Sequence, residues 1–237
     1  MSNGTHYGSG HSSSTHGYHA GGQNHYTYIQ KFSFVSGSCN IIGNLQTGRT
    51  GPSDISSSTH GYSCGGYPNY QPLLTSIEKI SFSSDGDGSV VGQLTNGTYT
   101  GSGQSSYTAG YSSGGSGTAL NNYVEKFLFA TDGNAVNVGN LTNGGSTYTS
   151  GQSSITHGYI CAGNSGTGNN SMEKFSFDTD GHTVNVANLN TSRYSVTGQS
   201  STTHGYVSGG FWGGRSNVIE SFTFSVDAGG VDHGDLT

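Results

Sequence analysis

The tetrapeptide Thr15-His-Gly-Tyr18 returns as Thr59-His-Gly-Tyr62, Thr156-His-Gly-Tyr159 and Thr203-His-Gly-Tyr206, and once more, altered, as Thr108-Ala-Gly-Tyr111. Successive tyrosines stand 44, 49, 48 and 47 residues apart, a mean of 47, so five units of about that length account for 235 of the 237 residues. Periods of roughly 40–50 residues belong to propeller blades or to helical arrays. With 42 glycines, abundant Ser and Thr and no run of Ala, Leu, Glu or Lys, the units lack the residues that sustain a helix. The expected fold is all-β, a five-bladed β-propeller of four-stranded antiparallel blades. It is a single domain, with blades at about 4–46, 47–95, 96–142, 143–190 and 191–237.

Outward from the tetrapeptide, each unit repeats the same words. A hexapeptide of period two reads Ile29-Gln-Lys-Phe-Ser-Phe34, Ile77-Glu-Lys-Ile-Ser-Phe82, Val124-Glu-Lys-Phe-Leu-Phe129, Met172-Glu-Lys-Phe-Ser-Phe177 and Ile219-Glu-Ser-Phe-Thr-Phe224. A last strand ends at Leu45, Leu94, Leu141, Leu189 and Leu236. Between the two lie Asp85-Gly86, Asp132-Gly133 and Asp180-Gly181, dipeptides suited to a tight hairpin. A polar strand, as in 147–155 or 194–201, precedes the tetrapeptide. The strands of a blade are thus A (before the turn), B (from the tyrosine to a glycine pair), C (the hexapeptide) and D (ending at the leucine). The start, Gly4-Thr-His-Tyr-Gly-Ser-Gly10, matches Gly97-Thr-Tyr-Thr-Gly-Ser-Gly103 in phase. Each blade is therefore expected from contiguous sequence, with contacts between blades 5 and 1 sealing the ring.

This layout resembles the kelch propellers, in which a strand ending in a glycine pair is followed by one carrying an acidic residue and an aromatic. Gly21-Gly22, Gly65-Gly66, Gly114-Gly115 and Gly209-Gly210 match the pair, and Arg49 and Arg193 match the basic residue that opens a kelch repeat, with Tyr99 and Tyr148 there elsewhere. Over its whole length the chain is also similar to the Gly/Ser-rich kelch-like repeats of structural proteins of aquatic bacteriophages. The matching words are Gly-Gln-Ser-Ser-x-Thr-His-Gly-Tyr, present in full at 151–159 and 198–206, and Glu-Lys-Phe-x-Phe. The resemblance implies a virion-associated role, such as a tail appendage, fibre-tip module or capsid decoration.

Charge and composition narrow the function further. A net charge of −6 with no basic patch argues against nucleic acid as a partner. No stretch near 18 apolar residues suggests membrane insertion, and the polar start is not a signal peptide; the expected location is the virion or the extracellular space. Lys31, Lys79, Lys126 and Lys174 share one position and Glu78, Glu125, Glu173 and Glu220 precede it, so Glu of one blade is expected to meet Lys of the next. Cys39, Cys64 and Cys161 fall too far apart to pair, and are expected as free, buried thiols. His16, His60, His157 and His204 form a ring of equivalent turns, too widely spaced to share a zinc, and are read as turn residues rather than metal ligands. Asp85-Gly-Asp-Gly88 lacks the spacing of a calcium loop and is read as a hairpin. No catalytic motif, metal site or cofactor site is expected.

The segment that varies is the B–C loop after the glycine pair. In an up-and-down blade it shares a face with the D–A connection, opposite the histidines. That face gathers Tyr26, Tyr67, Tyr70, Trp212 and Arg215, with Arg49, Tyr99, Tyr148 and Arg193 from the D–A connections. Aromatic planes beside polar donors suit a surface glycan or a protein partner. The expected function is non-enzymatic, a structural or binding propeller docking a virion protein or a host-surface glycan, with self-assembly possible. The alternative is a multivalent carbohydrate-binding lectin outside a virion; an enzyme is the most distant. An alternative for Trp212 is that it fills a gap between blades 5 and 1.

Overall fold

The computed structural model describes residues 6–69, 72–117 and 120–237. Among these residues twenty strands form five separate four-stranded antiparallel sheets, each from consecutive strands in the order A, B, C, D: a five-bladed β-propeller. Blade 1 holds β1 (Ser9–Ser12), β2 (His16–Ala20), β3 (Tyr28–Ser33) and β4 (Cys39–Asn44). Blade 2 holds β5 (Ser53–Ser56), β6 (His60–Cys64), β7 (Ser76–Ser81) and β8 (Ser89–Gln93). Blade 3 holds β9 (Ser102–Ser105), β10 (Ala109–Ser113), β11 (Tyr123–Leu128) and β12 (Val136–Asn140). Blade 4 holds β13 (Ser150–Ser153), β14 (His157–Cys161), β15 (Asn169–Ser176) and β16 (Val184–Arg193). Blade 5 holds β17 (Thr197–Ser200), β18 (His204–Ser208), β19 (Val218–Thr223) and β20 (Val231–Asp235). Strand A is shorter than expected because the residues before it leave the sheet: Thr147 instead bridges to Asn164 of the B–C loop.

Because side chains alternate across a strand, strand C gives each blade two unlike faces. Ile77 and Lys79, with Tyr62 of strand B, look forward to the next blade; Glu78, Ile80 and Phe82 look back. Both faces are buried between blades, which is why adjacent Ile77 and Glu78 are each 0% exposed. A bulge falls at this spot in all five blades, between Ile29 and Gln30, Ile77 and Glu78, Val124 and Glu125, Met172 and Glu173, and Ile219 and Glu220.

The forward tyrosine stacks on the second aromatic of the next blade's strand C. Ring centroids are 4.6 Å apart for Tyr18 and Phe82, 5.1 Å for Tyr62 and Phe129, 5.0 Å for Tyr111 and Phe177, and 5.1 Å for Tyr159 and Phe224. The leucine ending strand D is buried beside it at Leu45, Leu94, Leu141 and Leu189. The nine-residue word divides between the joint and the turn. A β-carbon on Gly151 or Gly198 would collide with the backbone of the preceding blade. Gln152 Nε2 donates forward to the Tyr206 carbonyl at 3.1 Å, and Ser153 Oγ accepts from the Ser105 amide at 2.9 Å. Ser154 closes the turn on the His157 amide at 2.9 Å, and Thr156 Oγ1 lies 2.8 Å from His157 Nδ1.

The charges also serve the joints, by a pairing different from the expected one. Each lysine reaches the aspartate of the next blade's hairpin rather than its glutamate: Lys31 to Asp85 at 2.9 Å, Lys79 to Asp132 at 3.0 Å, Lys126 to Asp180 at 2.8 Å and Lys174 to Asp227 at 2.6 Å. The glutamates face the other way, since neighbours on a strand point to opposite sides. They accept amides from the end of the preceding blade: Gln46 to Glu78 at 2.7 Å, Thr95 to Glu125 at 2.6 Å, Thr142 to Glu173 at 2.8 Å and Asn190 to Glu220 at 2.7 Å. In the Asp85 hairpin, Asp87 is likewise engaged, accepting the Asn44 amide at 2.8 Å.

The fifth joint departs from the expected seal. Strand β1 pairs with β2 of its own blade, so the blades are contiguous as expected. Yet among the described residues no hydrogen bond, ion pair or ring contact joins blade 5 to blade 1. Around the axis, backbone bonds run from Gly51 N to Tyr7 O (2.6 Å), Thr100 N to Gly51 O (2.7 Å), Tyr148 N to Thr100 O (2.7 Å) and Ser195 N to Tyr148 O (3.0 Å). The link from Tyr7 N to Ser195 O that would complete this circle is not made. All five residues sit at left-handed φ, from 54° at Ser195 to 63° at Gly51, a strain that side chains tolerate only where surroundings enforce it.

Candidate functional site

The B–C loops and D–A connections do meet on one face, around the mouth of the axis. There the aromatic side chains form a connected crown. His25 and Tyr67 ring centroids are 5.6 Å apart, Tyr67 and Tyr99 6.1 Å, Tyr99 and Tyr148 6.4 Å, Tyr148 and Tyr194 6.2 Å, and Tyr194 and Phe211 5.7 Å. Tyr7 reaches Tyr148 from across the axis, at 6.1 Å. These positions are set locally: Thr50 bridges Tyr67, Tyr99 bridges Ser116, and Tyr194 bridges Phe211, so each D–A connection is tied to a B–C loop. Tyr148 falls one place further on, at the axial left-handed position, and that offset turns its ring into the mouth.

Between His25, Tyr67, Tyr99, Tyr148 and Tyr7 lies a concavity of about 530 Å³, into which Gln23, Asn24 and Asn69 bring amide groups. Volumes of this order hold small ligands. Burial, followed by the neighbouring Tyr99, raises the Tyr148 phenol above its ordinary value, keeping it a neutral donor. Beneath it the axial channel, about 490 Å³, is walled by glycine and serine, with Asp54 as its carboxylate.

The sequence-derived site residues divide. Tyr67 lies in the crown and is 38% exposed. Tyr26 stacks on Tyr28 at 5.7 Å, outside the concavity. Trp212 is half exposed and rests against Gly168 of the blade 4 loop, not in a gap between blades 5 and 1. Arg215 is exposed beside it. Tyr70 lies outside the described residues.

Arg49 and Arg193 must be removed from the face, since both are wholly buried. Arg49 pairs with Glu78 and donates to the Gly65 carbonyl at 2.8 Å; Arg193 pairs with Glu220 at 3.0 Å and donates to the Val218 carbonyl at 3.0 Å. Burial lowers both guanidinium pKa values, and the facing glutamates hold the charge in place. Their equivalents elsewhere are Thr98 and Ser146 rather than Tyr99 and Tyr148. The Arg49, Thr98, Ser146 and Arg193 carbonyls all accept from the second residue of a B–C glycine pair or its counterpart Gly163. Conversely, the sequence reading left His25, Tyr7, Tyr194 and Phe211 out of the site. Only the alignment of Tyr7 with the Gly97–Gly103 segment pointed to the axis.

On the opposite face His16, His60, His157 and His204 each hold the preceding threonine hydroxyl at 2.8 Å through Nδ1. Two of the thiols, Cys64 and Cys161, are buried, and burial pushes both well above the usual range. Cys39 is exposed, against expectation, because it starts the outermost strand of its blade. No helix is long and apolar enough to cross a membrane among the described residues. Neither a scan against protein-family models nor a search of curated proteins finds a match to this chain.

Proposed function

We propose that this protein is a non-catalytic docking propeller that binds a surface glycan at its aromatic crown. The resemblance of its repeats to phage structural proteins makes a virion appendage the setting of this reading. The observation that carries it is the concavity in which Tyr99 and Tyr148 of two D–A connections, Tyr67 of a B–C loop and Tyr7 ahead of blade 1 stand beside Gln23, Asn24 and Asn69. Sugars offer apolar ring faces and polar edges together, and this combination of stacking planes and amide donors serves both. Four lysine–aspartate pairs and two arginine–glutamate pairs commit charged groups to holding blades together, which favours binding over catalysis. Blade-to-blade differences in the B–C loops favour one composite site over five equal ones.

The test is a glycan array followed by titration of any hit against Tyr99→Ala and Tyr67→Ala. Loss of at least tenfold in affinity, with unchanged melting temperature, is expected for both. Glycan binding unaffected by these changes, or binding only to a protein ligand, would overturn the glycan reading.

A further inference from the structure

The four internal joints define what each face of a blade requires, and among the described residues one face of each kind is unoccupied. The forward face of blade 5 presents Tyr206, whose ring has no phenylalanine beneath it and turns to His233 of its own blade, 5.4 Å away. Leu236 on the same face is 49% exposed, where Leu45, Leu94, Leu141 and Leu189 are 2–4% exposed. Gln199 is exposed and bonds to Ser208 of its own blade, whereas Gln104 and Gln152 reach the next blade. The backward face of blade 1 presents Phe32 and Phe34, 37% and 54% exposed, although Phe127, Phe175 and Phe222 at the place of Phe32 are 2–3% exposed. Gln30 Oε1 is buried there without a partner, at the place where Glu78, Glu125, Glu173 and Glu220 each accept an amide of the preceding blade.

These two faces are complementary to each other: a tyrosine and a leucine on one, a phenylalanine pair and an empty acceptor on the other. Apart from His233, which stands where Ile42, Val91, Val138 and Val186 pack in the other blades, they differ from the internal joints in charge. Ser221 stands in the place of the lysine, residues 35–38 of the blade 1 hairpin hold no aspartate, and Gln30 replaces the glutamate. A joint formed during folding of one chain has no reason to lose all three charges. One assembled from faces that have been in water does, because neutral groups shed their hydration at far lower cost than ions.

We propose that this is an interface between copies of this chain, the forward face of blade 5 in one copy seating on the backward face of blade 1 in the next. Such a contact is head-to-tail, and propagates into a closed ring or a filament. The occupant is specified by continuity with the joint already built four times in the molecule: Tyr206 stacks on Phe34, Leu236 is covered, and Gln30 receives an amide from the end of the neighbouring copy. The inference is independent of the glycan reading, since it concerns the edges of the blades and not the axial crown.

The experiment uses the full chain with Cys39→Ser, which removes the exposed thiol. Tyr206→Cys and Phe34→Cys are made separately and mixed with a short bismaleimide. A cross-linked dimer is expected from the mixture and not from either protein alone, with a ladder of higher multiples from the double variant. A double variant that yields only an internally cross-linked monomer, unchanged on dilution, would show that one chain closes on itself and would overturn the proposal. So would absence of any cross-link. Light scattering on the unmodified protein provides a second readout: its mass should rise with concentration to at least twice that of the chain, and Phe34→Glu should abolish the rise. A concentration-independent monomer would refute the interface without any engineered cysteine.

Discussion

His11 shows how one residue departs from its repeat with a measurable consequence. It stands where Gln104, Gln152 and Gln199 stand in other blades, opposite the marker tyrosine. Its ring is buried, 3.1 Å from the Ile55 carbonyl and 3.1 Å from Ser9 Oγ. Burial lowers its pKa from 6.5 to about 4, with the Ile55 bond opposing the shift. A histidine depressed in the folded state leaves stability intact above its unfolded value and removes it as pH falls from 6.5 toward 4. The expected loss is roughly 3 kcal/mol, checked by denaturant titration at several pH values. His11→Gln should flatten that dependence. The buried pair gives a second prediction at this scale: Arg193→Met strips Glu220 of its counter-charge and should cost about 3–5 kcal/mol, most of it recovered by adding Glu220→Gln.

At the scale of the strand, strand C is where neighbouring blades interlock. Lysine–aspartate pairs with side chains 20–57% exposed contribute at most about 1 kcal/mol each. Buried aromatics contribute more, so stability resides in the aromatic joint while the ion pairs select its register. Phe175→Ala should therefore cost about 3–5 kcal/mol. Phe34→Ala, at the place of Phe177 in blade 1, two residues beyond the place of Phe175, and 54% exposed, should stay within about 0.5 kcal/mol in dilute monomer. Urea titrations of the two variants side by side decide this, and equal losses would mean that blade 1 is packed like the others.

Over the whole molecule, two faces with different uses are expected. The histidine turns are self-contained, and the crown face carries the rings that line the concavity. Trp212→Ala, at the rim, should weaken glycan or host-cell binding while the melting temperature barely moves, since truncating an exposed aromatic anchor commonly costs about 2 kcal/mol of binding or more. His60→Ala should leave binding intact and cost only modest stability. The reverse pattern would place the docking surface at the turns.

The sequence by itself determined the number of blades, their four-strand phase and the face on which the variable loops gather. These follow from local periodicity, and a word repeated five times is read with little ambiguity. That the repeated lysines and glutamates serve the contacts between blades was legible too, because a repeated residue serves the repeat. Only the tertiary structure decided which charge meets which, since Lys79 and Glu78 differ in direction and their partners lie about fifty and thirty residues away. It also decided that Arg49 and Arg193 are interior, because a side chain leaving a surface connection can turn inward to a buried carboxylate. The crown and the open joint were equally hidden. Both depend on how residues from different blades meet in space, and periodicity within the chain carries no information about whether its last blade touches its first.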